Sequence, residues 1–236
     1  MTAQEIIGLI VSYAYATGLL VIAEVLRRKI GVSAEITRKF VHIGAGMWVF
    51  GILLLFDRWQ IGIIPFATFI IVNFVIYRYR LAASLHDNRN SPGTVYFAAV
   101  ITLLFGLLWR PQDSVDFVPI AVAGVMALTW GDALAALVGR RFGQHIYRIG
   151  QSTRSVEGSL TLFIVACITI WGALQFLPDS SLAPAAEPLS ATQIVLATFL
   201  GALAATIAEA VSPHGTDNLS VPLATAGTIW LISVVA

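Results

Sequence analysis

The chain has 236 residues, 58% of them hydrophobic and 11% charged, with a formal net charge of +1 and a mean hydropathy of +0.84. That balance excludes an ordinary water-soluble domain, and no nucleic-acid partner is expected of it. The outward-apolar, inward-polar alternation of an outer-membrane barrel is absent, which leaves an all-α, polytopic transmembrane bundle as the way to satisfy the backbone in lipid.

Apolar runs fall at about 6–26, 40–56, 61–77, 95–109, 117–138, 158–177, 192–211 and 220–235, close to the roughly 20 residues that cross a bilayer. The last is short and the least complete of the expected spans, so seven or eight crossings are predicted. Residues 1–236 read as a single domain without internal repeats. The first run ends in Arg27, Arg28 and Lys29 rather than at a small-residue cleavage site, so it is expected to be retained. Cys167 is the one cysteine, so no intrachain disulfide can form.

The placement of cations sets an orientation. Arg27, Arg28, Lys29, Arg38 and Lys39 follow the first run, Arg78, Arg80 and Arg89 the third, and Arg140, Arg141, Arg148 and Arg154 the fifth. These are twelve of the 14 Lys and Arg, and the positive-inside rule makes their side cytoplasmic and the N-terminus external. The polar residues that interrupt the apolar pattern then all fall at cytoplasmic ends, where one site can gather them. Short outer loops fit a prokaryotic inner membrane or a plastid.

In chain order, Arg38, Lys39 and His42 open the second run. A helical step of four puts Arg38 and His42 on one face, suiting an anionic group such as phosphate; snorkelling cations beside a packed histidine are the plainer account. Glu24 and Arg28 read as an interfacial ion pair. Gly131, Ala135, Gly139 and Gly143 form a small-residue stripe that admits either a second helix or a ligand phosphate. Asp132 lies beside it. A carboxylate inside an apolar span costs about 2.5–3.5 kcal/mol even on the gentler insertion scales, and near phosphate-binding cations it is what Mg²⁺ needs.

The segment from Arg140 through Arg148 to Arg154, Ser155, Glu157, Gly158 and Ser159 reads as a basic, glycine-punctuated loop. It ends at a helix start, where free N–H groups favour an anion; Ser155 can equally be a simple cap. Glu209, then Asp217 and Asn218 in a turn before a helix starting near Pro222, offer a second metal or nucleotide contact, with helix capping by Asp217 as the plainer alternative. His86, His145 and His214 form no zinc-type spacing, and neither a Walker-A loop, a Rossmann fingerprint nor a GxSxG elbow occurs.

Taken together, Arg38-Lys39 with His42 and Gly44, Gly131-Asp132 with Ala135, Gly139 and Gly143, Ser155 with Glu157-Gly158-Ser159, and Glu209 with Asp217-Asn218-Leu219 and Pro222 resemble the CTP-dependent polyprenol kinase family, which includes phytol, farnesol, dolichol and yeast-type diacylglycerol kinases. One departure is Arg154, where that family usually carries lysine. The resemblance implies that the loop from Gly139 to Glu157 holds the cytidine nucleotide, with Gly131 and Asn218 also on it, and that the acids manage Mg²⁺.

The expected activity is transfer of the γ-phosphoryl of CTP to a membrane-dissolved isoprenoid alcohol at the cytoplasmic face. Asp132 is assigned to Mg²⁺ with Glu209 and Asp217 as supporting acids, and Arg38, Lys39, Arg140, Arg148 and Arg154 to phosphates. His42 or one of the acids takes the alcohol's proton. A phosphatidate cytidylyltransferase, a CTP-dependent diacylglycerol kinase and an anion transporter are the alternatives.

Overall fold

The computed structural model describes residues 1–79, 92–112, 115–213 and 215–235. It is a helical bundle: α1 (Ala3–Lys29), α2 (Ala34–Leu55), the single turn α3 (Trp59–Gly62), α4 (Ile64–Tyr79), α5 (Gly93–Leu108), α6 (Val118–Phe142), α7 (Val156–Phe176), α8 (Ala191–Val211) and α9 (Asp217–Val235). Between α6 and α7 a small antiparallel hairpin forms from β1 (Ile146–Ile149) and β2 (Ser152–Ser155).

Local chemistry sets the helix starts. Thr2 and Glu5 make a reciprocal capping box at α1, Ser33 caps α2, and Ser190 and Gln193 repeat the box at α8. Asp116 accepts from the backbone N–H groups of Arg110 and Val118, which fixes the entry to α6.

Among the described residues, seven helical segments are long and apolar enough to cross a membrane, with α3 and α4 counted together. The expected fourth span is α5, which has 16 residues and rises only about 24 Å, short of the roughly 30 Å hydrocarbon core. The segment expected to be least complete is long enough. Its helix begins at Asp217 rather than near Pro222, because a proline in the first turns removes few helical hydrogen bonds.

The core is organised around α6, in which every residue from Val118 to Thr129 is buried. Helices α2, α5, α7 and α9 pack around it. The approach to α9 is close enough that a Cβ on Gly124 would lie 2.8 Å from the Pro222 carbonyl oxygen. The helices alternate in direction, bringing the C-terminal ends of α6 and α8 together with the N-terminal ends of α2, α7 and α9. That end carries all the described cations except Arg58 and Arg110. Arg80, Arg89, His86 and His214 lie outside the described residues.

Candidate active site

The site grows from the N-terminal turns of α2. Ser33 starts the helix, and Lys39 and His42, three residues apart, fall on the side facing α6. Lys39 Nζ donates to Asp132 Oδ2 at 2.5 Å and approaches the Asp132 carbonyl oxygen at 3.3 Å. His42 Nε2 lies 3.9 Å from the same carboxylate oxygen. The imidazole lies tilted against Phe97 of α5 with ring centroids 4.5 Å apart. Arg38 contributes its charge to the same surroundings, and Arg140 pairs with Glu35, tying the end of α6 to the start of α2. Asp132 thus faces α2 and its side chain is only 19% exposed.

The second half of the site is assembled by the hairpin. Gly150 turns the chain at φ +56°, a conformation that favours glycine. Strand alternation then sorts the side chains. Tyr147 and Arg154 are cross-strand partners on one face, while Arg148 pairs with Thr153 on the other. From the first face Arg154 reaches two other helices: Nε pairs with Glu209 of α8, and Nη2 donates to Asp217 of α9 at 3.1 Å. Arg148 turns back to the Gly150 carbonyl at 3.1 Å. The expected basic loop is therefore a folded hairpin that aims one arginine at the acids and the other away from them.

Other residues expected at a nucleotide serve here as framework. Ser155 caps α7, accepting from Gly158 N at 3.1 Å. Glu157 accepts from the His145 backbone and side chain, the latter at 2.7 Å, and Ser159 pairs with the Tyr147 hydroxyl at 2.6 Å. Gly139 and Gly158 mark the crossing of α6 and α7, where a Cβ on Gly139 would lie 2.8 Å from Ser155 Oγ and 3.4 Å from the Gly158 Cα. Gly143 packs on the same serine, and Gly131 on Leu162. Close helix approach is what these small residues do in this structure. Asn218 directs its amide to Asp217 Oδ1 and the Gly215 carbonyl, shaping the turn that presents Asp217.

The two halves act on one another: the charge of Arg154 is felt at Asp132, and that of Asp132 at Glu209 and Asp217. Three carboxylates therefore share the cations Lys39 and Arg154. Glu209 Oε2 and His42 Nε2 are buried without a hydrogen-bond partner. Sequence reasoning missed Glu35, Phe97 and Tyr147. Tyr147, embedded in a run of arginines, carried the one visible signal; the others look like ordinary helix residues until α2, α5 and α6 are packed.

The chain is 35% identical to phytol kinase of Synechocystis sp. over 95% of its own length and 90% of the relative's. It is 26% identical to CTP-dependent diacylglycerol kinase 1 of Schizosaccharomyces pombe over 84% of this chain and 93% of that one. A shorter match, 32% identical, covers 35% of this chain and 18% of a dolichol kinase from the same yeast. No family model matches the chain. No solved structure matches it.

Proposed function

This chain belongs to the polyprenol kinase family, that of the phytol and dolichol kinases, and from that premise we propose that it transfers the γ-phosphoryl of CTP to the hydroxyl of an isoprenoid alcohol such as phytol, farnesol, geranylgeraniol or a longer polyprenol. It is a multi-pass membrane enzyme of the lipid kinase class. The observation that carries the finer reading is the convergence of Lys39 and Asp132 with Arg154, Glu209 and Asp217 at one end of the bundle, from four separate parts of the chain. The Lys and Arg bias supports that end as cytoplasmic.

Phosphoryl transfer asks a protein chiefly for alignment and charge neutralisation. Lys39, Arg38 and the Arg154 fork supply cations for the triphosphate, and Arg140 stands at the rim. Asp132, Glu209 and Asp217 offer the hard oxygen donors that Mg²⁺ prefers, and the unbonded Glu209 Oε2 fits such a role. Among the described residues no three ligating side chains form a cage by themselves; one or two carboxylates, completed by phosphate oxygens and water, suit this ion. These carboxylates would hold such an ion, whose positive charge would offset that of the triphosphate during transfer. The alcohol oxygen forms its bond to the γ-phosphorus as the bond to CDP breaks, with the electron pair leaving on CDP. His42 or one of the carboxylates takes the hydroxyl proton. Asp132 lies ten residues before the end of α6, about 15 Å along the helix, so the alcohol can react with its tail still in lipid.

The test is to supply γ-labelled CTP to membranes holding the protein, with phytol, farnesol, a long polyprenol and diacylglycerol in separate reactions. Label on an isoprenoid alcohol with release of CDP is the expected result. Label confined to diacylglycerol would move the acceptor to the alternative that the yeast relative's name suggests. Pyrophosphate release would make the protein a cytidylyltransferase, and nucleotide-independent uptake of an anion into vesicles would make it a transporter.

A further inference from the structure

The hairpin that carries Arg154 is fastened to the start of α7 at two points along its first arm. At the base, the His145 backbone N–H donates to Glu157 Oε1 at 3.2 Å and the ring Nδ1 lies 2.7 Å from the same oxygen. The His145 carbonyl accepts from Val156 N at 2.9 Å, which closes the loop on itself. Two residues further on, in the middle of β1, the Tyr147 hydroxyl pairs with Ser159 Oγ at 2.6 Å. Glu157 and Ser159, both expected at the nucleotide from the sequence, thus spend their polar atoms on β1 and the residue before it.

What those ties hold is the residue next to Arg154. Tyr147 and Arg154 are directly paired across the hairpin, an arrangement that sets Cβ atoms about 4.5–5.5 Å apart on one face. A line of contacts therefore runs from Ser159 of α7 through Tyr147 to Arg154, and from there to Glu209 of α8 and Asp217 of α9. Two strands of four residues each make a ribbon that is marginal without outside support. An arginine is also among the side chains with most rotamer freedom to lose. Where the guanidinium stands is thus decided by how β1 is seated. A direct role for Glu157 at a triphosphate fits less well, since its carboxylate would repel the phosphates and is already engaged by His145.

We propose that the Tyr147–Ser159 and His145–Glu157 ties make these four side chains positioning residues, which seat the hairpin so that Arg154 meets the nucleotide phosphates in one place. They act through Arg154 and do not themselves touch the nucleotide. This rests on the reading above that Arg154 serves the triphosphate.

The experiment compares Tyr147→Phe, Ser159→Ala and the double variant in nanodiscs, each with Arg154 intact and with Arg154→Ala. It measures KM for CTP and for phytol, together with deuterium uptake by residues 146–155 of the substrate-free protein. With Arg154 intact, loss of this hydrogen bond should raise the KM for CTP about three- to tenfold. The rise should be the same in both single variants and no greater in the double one, because the two residues share one interaction. The KM for phytol should hold. On the Arg154→Ala background the same substitutions should add nothing, since the residue they seat is gone. Glu157→Gln and His145→Ala should behave alike but more weakly, about two- to threefold, because their tie is the more exposed, with the His145 side chain 76% accessible. An unchanged KM for CTP, additive losses in the double variant, an equal rise in both KM values, or a further loss on the Arg154→Ala background would overturn the proposal. Deuterium uptake reads the ties without any nucleotide. Faster exchange at 146–155 in variants of a protein that transfers no phosphoryl group would support the hold on the hairpin and fail the kinase reading. Unchanged exchange would overturn the positioning role whatever the activity.

Discussion

The bundle handles charge differently at its two ends. Away from the site, Glu5 is 2% exposed and fully used: Arg58 Nε donates to Oε1 at 2.6 Å, Arg58 Nη2 to Oε2 at 2.5 Å, and the Thr2 N–H to Oε2 at 2.7 Å. It is one acid to one base, in a bidentate geometry that leaves neither carboxylate oxygen over. At the site, three carboxylates share Lys39 and Arg154, and Glu209 Oε2 and His42 Nε2 are left unbonded. A closed pair joins α1 to the chain following α2. An open cluster with excess acid and unspent acceptors is a place where something else binds.

The largest effect expected at the open end is from Asp132→Asn. It removes the carboxylate that Lys39 and His42 face while keeping its shape, and leaves Lys39 buried with one ionic partner fewer. CTP-dependent phosphorylation should fall by about 10²–10³-fold or more. Initial rates in membranes, normalised to protein by immunoblot, check this. Activity near wild type would remove Asp132 from the reaction.

Arg154→Lys is the next strongest. A guanidinium spans Glu209 and Asp217 with two different nitrogens, whereas an ammonium is a point charge that cannot hold both in one plane. A rise of about tenfold in the KM for CTP is expected, measured at saturating alcohol. No change would mean that charge alone matters there.

These two substitutions also mark what the sequence disclosed. Asp132 stood out because an acid in an apolar run is costly, and the Lys and Arg distribution brought Lys39, Arg154, Glu209 and Asp217 to one end before any packing was known. The bridging by Arg154 was hidden, since Glu209 and Asp217 are 55 and 63 residues away in the chain and only the docking of α8 and α9 brings them near. The hairpin was hidden for another reason. Its strands have four residues each, too few for alternation to be recognised, and Ile-Tyr-Arg-Ile looks like an irregular basic loop. The glycine stripe was ambiguous because close approach by a helix and by a phosphate ask for the same small residue; Ser155 and Gly158 fill that space. The start of α9 was misplaced because Pro222 looked like a boundary when it sits within the first turns of the helix.

Hairpin alternation itself yields a smaller prediction. Arg148 and Arg154 are six residues apart, yet only Arg154 shares a face with Tyr147 and reaches the acids. Arg148→Ala should change the KM for CTP by no more than about twofold, the scale of an exposed, screened cation, while Arg154→Ala should raise it far more. Equal losses would place both faces of the hairpin on the nucleotide.

The smallest expected effect on catalysis, and the sharpest test of the contrast between the ends, is Glu5→Gln. The amide keeps the volume but cannot accept both Arg58 bonds as a carboxylate does, and the Thr2 cap of α1 loses its charged partner. The thermal midpoint of the purified protein should fall, because the closed pair holds α1 against the α2–α3 connection. The kcat/KM per folded molecule, for both CTP and alcohol, should stay at the wild-type value. Arg58 is 41% exposed at its side chain, so water can solvate the cation left behind, and the loss should remain local. If Glu5→Gln instead slowed phosphoryl transfer at full folding, the far end would be coupled to the cluster through α1 and α2, where the Tyr15 hydroxyl bonds to the Gly44 carbonyl, two residues from His42. An unaltered midpoint would show that the pair does not hold the bundle together at all.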